Sequence, residues 1–104
     1  MVETVVDYDE LVAAYADNLE NVLRSFKPGP EFLDLWVHDE DDARSILNIA
    51  EAAEGYGLEN LTIELSGAAL ARIDTDALLE MLRKVCEVEL TAAGAGAKVV
   101  LRYG

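Results

Sequence analysis

The chain has 104 residues, 52% of them hydrophobic and 7% aromatic, enough to build a packed core in a single α+β domain spanning 1–104 without metal or disulfide staples. Asp and Glu number 21 against 8 Lys and Arg, a formal net charge of −13, which excludes the clustered cationic surface that sequence-nonspecific nucleic-acid binding requires. No apolar run approaches the roughly 18 residues of a membrane span. The lone Cys86 has no intramolecular disulfide partner, and Glu3 and Asp7 stand where a secretory leader carries basic charge. These features predict a soluble cytoplasmic protein with no membrane and no nucleic-acid partner.

Residues 7–26 place Leu11, Val12, Tyr15, Leu19, Val22, Leu23 and Phe26 on one helical stripe, with Asp7 and Glu10 at capping-box spacing. Pro28 ends that helix. Over 32–38, Leu33, Leu35 and Val37 alternate with Phe32, Asp34, Trp36 and His38, which predicts a strand with two unlike faces. A second helix starts at Asp39 or Asp41, turns Ala43, Ile46, Leu47, Ala50 and Ala53 inward, and stops at Gly55 and Gly57. Residues 61–66 alternate again, completing a strand, helix, strand unit with parallel strands.

Gly67 permits a turn, and 69–73 reads as a short returning strand. Asp74 begins a third helix with Leu78, Met81, Leu82 and Val85 inward. Residues 88–90 fit either the end of that helix or a strand; 94–96 is a break, and 98–103 is a final strand. Strands that alternate polar and apolar residues belong to a sheet packed on one face. The fold class is therefore a two-layer α/β sandwich with a mixed sheet; if 69–73 is a strand, the order is a ferredoxin-like βαββαβ preceded by an N-terminal helix.

His38 to Asp42, HDEDD, invites a metal or catalytic reading. Counted from Asp39 as a calcium loop, the required Gly and Glu positions hold Arg44 and Ala50, and zinc has only His38 as a soft ligand. The acids fit better as a helix N-terminus, one Asp capping free N–H groups. Phe32, Trp36 and His38, with Val100 and Arg102 from the last strand, form a candidate interaction face if the second face of the sheet is open. The stripe of the first helix offers Phe32 and Trp36 an alternative cover. Ser25, Ser45, Ser66 and Cys86 have no second His to make a nucleophile, base and orienter set, and no Gly-rich phosphate loop is present. No catalytic residue, cofactor or metal is expected.

The acidic, Lys-poor, Ala-rich composition resembles that of haloarchaeal proteins, which function in a saline cytoplasm. Residues 61–82, LTIELSGAALARIDTDALLEML, resemble the segment of STAS domains, the anti-sigma-factor antagonist family, in which a strand leads to a Ser-containing turn and a helix. The resemblance implies a phosphorylation-switched regulator with Thr75, after Asp74, as phosphoacceptor; Asp76 and Ala77 stand where the family has Ser and Gly. Three functions follow as expectations. The first is a non-catalytic, salt-adapted protein acting on a protein partner or by self-association. The second is the STAS-like switch. The third is a divalent-metal or small-ligand domain using Asp34, His38, Asp39 and Asp41.

Overall fold

A β-branched run, Thr4 to Val6, favours extended backbone and leads into strand β1 (Val5–Asp7). The computed structural model describes residues 4–17 and 30–103. β1 turns directly into α1 (Tyr8–Asp17), and the Asp7 carboxylate accepts from the Glu10 N–H at 3.1 Å. The helix predicted from residue 7 is thus preceded by a strand that a run of three residues is too short to announce. Its predicted continuation, with Leu19, Val22, Leu23 and Phe26, lies outside the described residues.

The strand predicted over 32–38 is not formed. Pro30–Leu35 is a 3-10 helix, closed by the Trp36 N–H on the Leu33 carbonyl at 3.1 Å, and Trp36–Asp39 is irregular. Pro30 suits a helical start, where its missing N–H costs nothing. Seven alternating residues also fit a tight helical turn, because Phe32, Leu33 and Trp36 fall on one side; those three are buried, while Leu35 and Val37 are 58% and 65% exposed. The place beside the next strand that this segment was predicted to take is occupied by β1.

α2 (Asp42–Tyr56) is the helix the apolar period predicts, with Ala43, Ile46, Ile49, Ala50 and Ala53 buried and Gly57 closing it on the carbonyls of Ala53 and Glu54. β2 (Asn60–Leu65) follows. The returning strand predicted over 69–73 is instead α3 (Gly67–Ala71), an Ala-rich turn whose first N–H groups are capped by Ser66, its hydroxyl accepting from Ala69 N–H at 3.1 Å. α4 (Thr75–Leu82) starts on the Asp74 carboxylate, and β3 (Glu87–Ala93) and β4 (Gly96–Arg102) form a hairpin. The ambiguous residues 88–90 are therefore strand.

The four strands run in the order β1-β2-β4-β3, with β1 parallel to β2 and the other pairs antiparallel. This mixed sheet with helices is an α/β sandwich, and with a helix and turn instead of a strand over 69–73 it lacks the strand a ferredoxin-like βαββαβ order requires. Register explains the alternation. Val6, Ile63, Val99 and Leu90 stand in one row, and Leu61, Leu101 and Val88 in another. Most of these join Ile46, Ile49, Leu78 and Leu82 in one core cluster. The opposite face carries Thr62, Val100 and Glu89 in one row and Glu64, Lys98 and Thr91 in the next.

Candidate interaction site

The HDEDD segment resolves into a helix start. Asp41 is the N-cap of α2, its side chain accepting from Ala43 N–H at 3.1 Å, and Asp39 accepts from Asp41 N–H at 2.9 Å. Ser45, one turn into the helix and fully buried, ties the segment down: its hydroxyl accepts from Asp39 N–H and donates to Asp39 C=O, both at 2.8 Å. The same oxygen lies 3.3 Å from His38 Nδ1. Buried, and bonded to both the N–H and the C=O of Asp39, Ser45 fastens this segment to the helix. Among the described residues no three of His, Cys, Asp and Glu gather closely enough to hold a metal ion. The Asp34 side chain lies outside the described residues.

Trp36 is 5% exposed, and its indole N–H donates to the Ser45 carbonyl at 3.1 Å. Tyr15 of α1 meets its ring edge-on at 5.3 Å between centroids, and the His38 ring lies 5.6 Å from Trp36 and 5.2 Å from Tyr15. Tyr15 of the first helix therefore lies against Trp36, and Phe32 is fully buried in the core. Val100 and Arg102 point the other way, since they alternate with the core residues Val99 and Leu101 on β4. Phe32, Trp36, His38, Val100 and Arg102 thus do not make one surface: burying two large aromatics in the core stabilises the fold more than leaving them in water.

A second polar cluster joins the ends of the parallel strands. Tyr8, just after β1, donates its hydroxyl to Asp42 at 2.7 Å; Arg72, after α3, donates to the other Asp42 oxygen at 3.0 Å. Arg72 also lies 3.9 Å from Asp9, whose carboxylate accepts from Ser66 N–H at 3.0 Å after β2. Burial, then the bond to the Asp42 carboxylate and its charge, push the Tyr8 phenol well above its ordinary value. Partial burial of Asp42 works to raise its carboxyl, but the bonds from Tyr8 and Arg72 and the Arg72 charge together outweigh it and hold the carboxyl below 3.8. Through Tyr8, Asp42, Arg72, Asp9 and Ser66 the cluster ties the β1 and β2 ends together.

No family model, curated protein or solved structure matches this chain. Thr75, the position the STAS resemblance assigns to phosphate, is the first residue of α4 and half-buried, beside the Asp74 cap that accepts from Ala77 N–H at 3.2 Å. Cys86, which follows α4, is half-buried with its thiol on the Leu82 carbonyl at 3.7 Å. Burial and the charge of Glu54 push that thiol up, away from the reactive thiolate.

The surface with unused bonding capacity is the outer edge of β3. Its connection to β4 is the two-residue loop Gly94-Ala95, with Gly94 at φ +62°, the positive φ at the first loop residue that glycine supplies in tight hairpins. Counted back from that turn, Ala93/Gly96, Thr91/Lys98, Glu89/Val100 and Glu87/Arg102 exchange the ladder hydrogen bonds. The N–H and C=O groups of Val88, Leu90 and Ala92 consequently point away from β4, and among the described residues no strand pairs with them. Arg102 lies 3.7 Å from Glu89 on the outer face, and Leu90 on the inner face is 36% exposed. Sequence reasoning missed this edge because strand order is a long-range outcome; the signal present was the Gly-Ala-Gly turn after alternating Val88 and Leu90.

Proposed function

We propose that this is a non-catalytic, salt-adapted cytoplasmic protein that works through protein–protein contact at the free edge of β3. One observation carries the reading: a seven-residue strand stands at the end of the sheet with alternate backbone groups unpaired among the described residues. Natural proteins commonly protect such an edge with Pro, charged side chains, a bulge or a covering element. β3 has no Pro and an unbroken register with β4, and its two charges, Glu87 and Glu89, lie in its first half, leaving Leu90–Ala93 uncharged. An extended partner segment added there satisfies those groups, and the alternating side chains supply selectivity. The net charge of −13 supports a protein rather than a nucleic-acid partner.

A photo-crosslinking side chain in place of Thr91 tests this in cells. A discrete adduct is expected that disappears when Ala92→Pro removes one outward N–H, and no adduct is expected from the same group in place of exposed Glu80. Equal yields from both positions would refute the reading. A second reading, the phosphorylation switch, is favoured by the place of Thr75 in the first turn of α4, where phosphate charge suits the helix dipole. Intact mass after incubation with cell extract and ATP tests it: phosphate uptake lost in Thr75→Ala supports the switch, and no uptake removes it.

A further inference from the structure

We infer that the partner of the β3 edge is a second copy of this chain, paired antiparallel about a two-fold axis through Leu90 so that the two sheets join into one. The inference rests on the edge-contact reading and adds the identity and register of the occupant. Only Val88, Leu90 and Ala92 turn their N–H and C=O groups outward, so two such edges can bond only where these alternate residues meet one another. Centred on Leu90, the pairing sets Leu90 against the partner's Leu90 and Val88 against the partner's Ala92. Every outward group of β3 is then used in both copies.

Charge selects this register over its neighbours. With Leu90 on the axis, Glu89 faces the partner's Thr91 and Glu87 faces the partner's Ala93, so no two carboxylates stand directly opposite, and the two Glu89 side chains are only diagonal neighbours, about 7 to 8 Å apart. A slip that centres Glu89 leaves Ala92 without a partner and sets the two Glu89 side chains directly opposite, at the non-hydrogen-bonded position where Cα atoms approach to about 4.5 Å. A slip that centres Thr91 leaves Val88 without a partner. The strand is thus self-complementary in one register, as a two-fold interface requires.

Packing agrees with the backbone. Leu90 is a large apolar side chain 36% exposed on the face of the sheet that carries the core. In the Leu90 register the partner's Leu90 lies beside it, Cα atoms about 5.5 Å apart, and each covers the other. Opposing this, each copy carries −13. The dimer is therefore expected to tighten as salt screens repulsion, the reverse of an interface held by ion pairs.

Light scattering on the purified full chain, from low salt to about 1 M, where the Debye length is about 3 Å, reads the mass directly. A mass twice the 11.3 kDa of the chain is expected at high salt, falling toward the monomer as salt is removed. Ala92→Pro should be monomeric throughout while keeping the circular dichroism of the wild type. For register, Leu90→Cys in a Cys86→Ser background should form an intermolecular disulfide on oxidation, and Thr91→Cys in the same background should not. A monomer at every salt concentration overturns the inference; if the Thr91 crosslink in cells persists, the edge-contact reading survives with another partner, and if it is absent both fall. A dimer that ignores Ala92→Pro, or that crosslinks through Thr91→Cys and not Leu90→Cys, also overturns it.

Discussion

Asp42 does with a single side chain what the acid-rich segment first suggested a metal would do, gathering Tyr8 and Arg72 from distant parts of the chain, while Ser45 ties the nearby Asp39 to its own helix. The carboxyl of Asp42 is held below 3.8 in the folded chain, so the folded state binds fewer protons there than the unfolded one. Its contribution to stability is complete above the ordinary carboxylate range and fades as pH falls through the lowered value. Asp42→Asn should accordingly lower the Tm at pH 7, and the gap from wild type should narrow below about pH 4; thermal denaturation at the two pH values checks it. Ser45→Ala strips the Asp39 N–H and C=O of their shared partner. A loss of about 1 to 3 kcal/mol is expected in urea denaturation, and Ser45→Thr is no rescue because the extra methyl enters a fully buried site.

At the scale of elements, caps and close approaches set the boundaries. Asp41→Ala removes the N-cap of α2 and should cost about 1 kcal/mol in the same assay. Gly96 is stricter: a Cβ there would collide with the backbone carbonyl of Leu65, the last residue of the adjacent strand. Gly96→Ala should therefore cost about 1 to 3 kcal/mol, the range for overpacking, and broaden amide spectra around Leu65. α2, β2 and β4 were legible because a fifteen-residue apolar period and two clean alternations each admit one reading. Residues 32–38 and 69–73 misled because alternation over five to seven residues does not separate a strand from a helical turn, and Ser66 and Pro30 decide the matter locally. The cap role of the HDEDD acids was visible in sequence; the cover over Trp36 depended on where Tyr15 of α1 came to lie, and the β3 edge on which strand ended outermost.

Across the whole molecule, 21 acidic side chains against 8 basic ones mean that repulsion is spread over the surface rather than held in one site. Raising salt from about 0.1 M to about 1 M shortens the Debye length from about 10 Å to about 3 Å, so the Tm of the monomeric Ala92→Pro variant should rise. An unchanged Tm would mean that charge has little weight in its stability. The parallel pairing of β1 with β2 has a consequence in time. Val5 meets Thr62, and Asp9 meets Ser66, partners 57 residues apart along the chain. The β3–β4 hairpin closes over two residues and can assemble within microseconds, whereas β1 must await closure of a long loop. A chain emerging from synthesis therefore holds β1 idle until β2 has appeared, and throughout that interval the backbone groups of β1 stand open to any other strand.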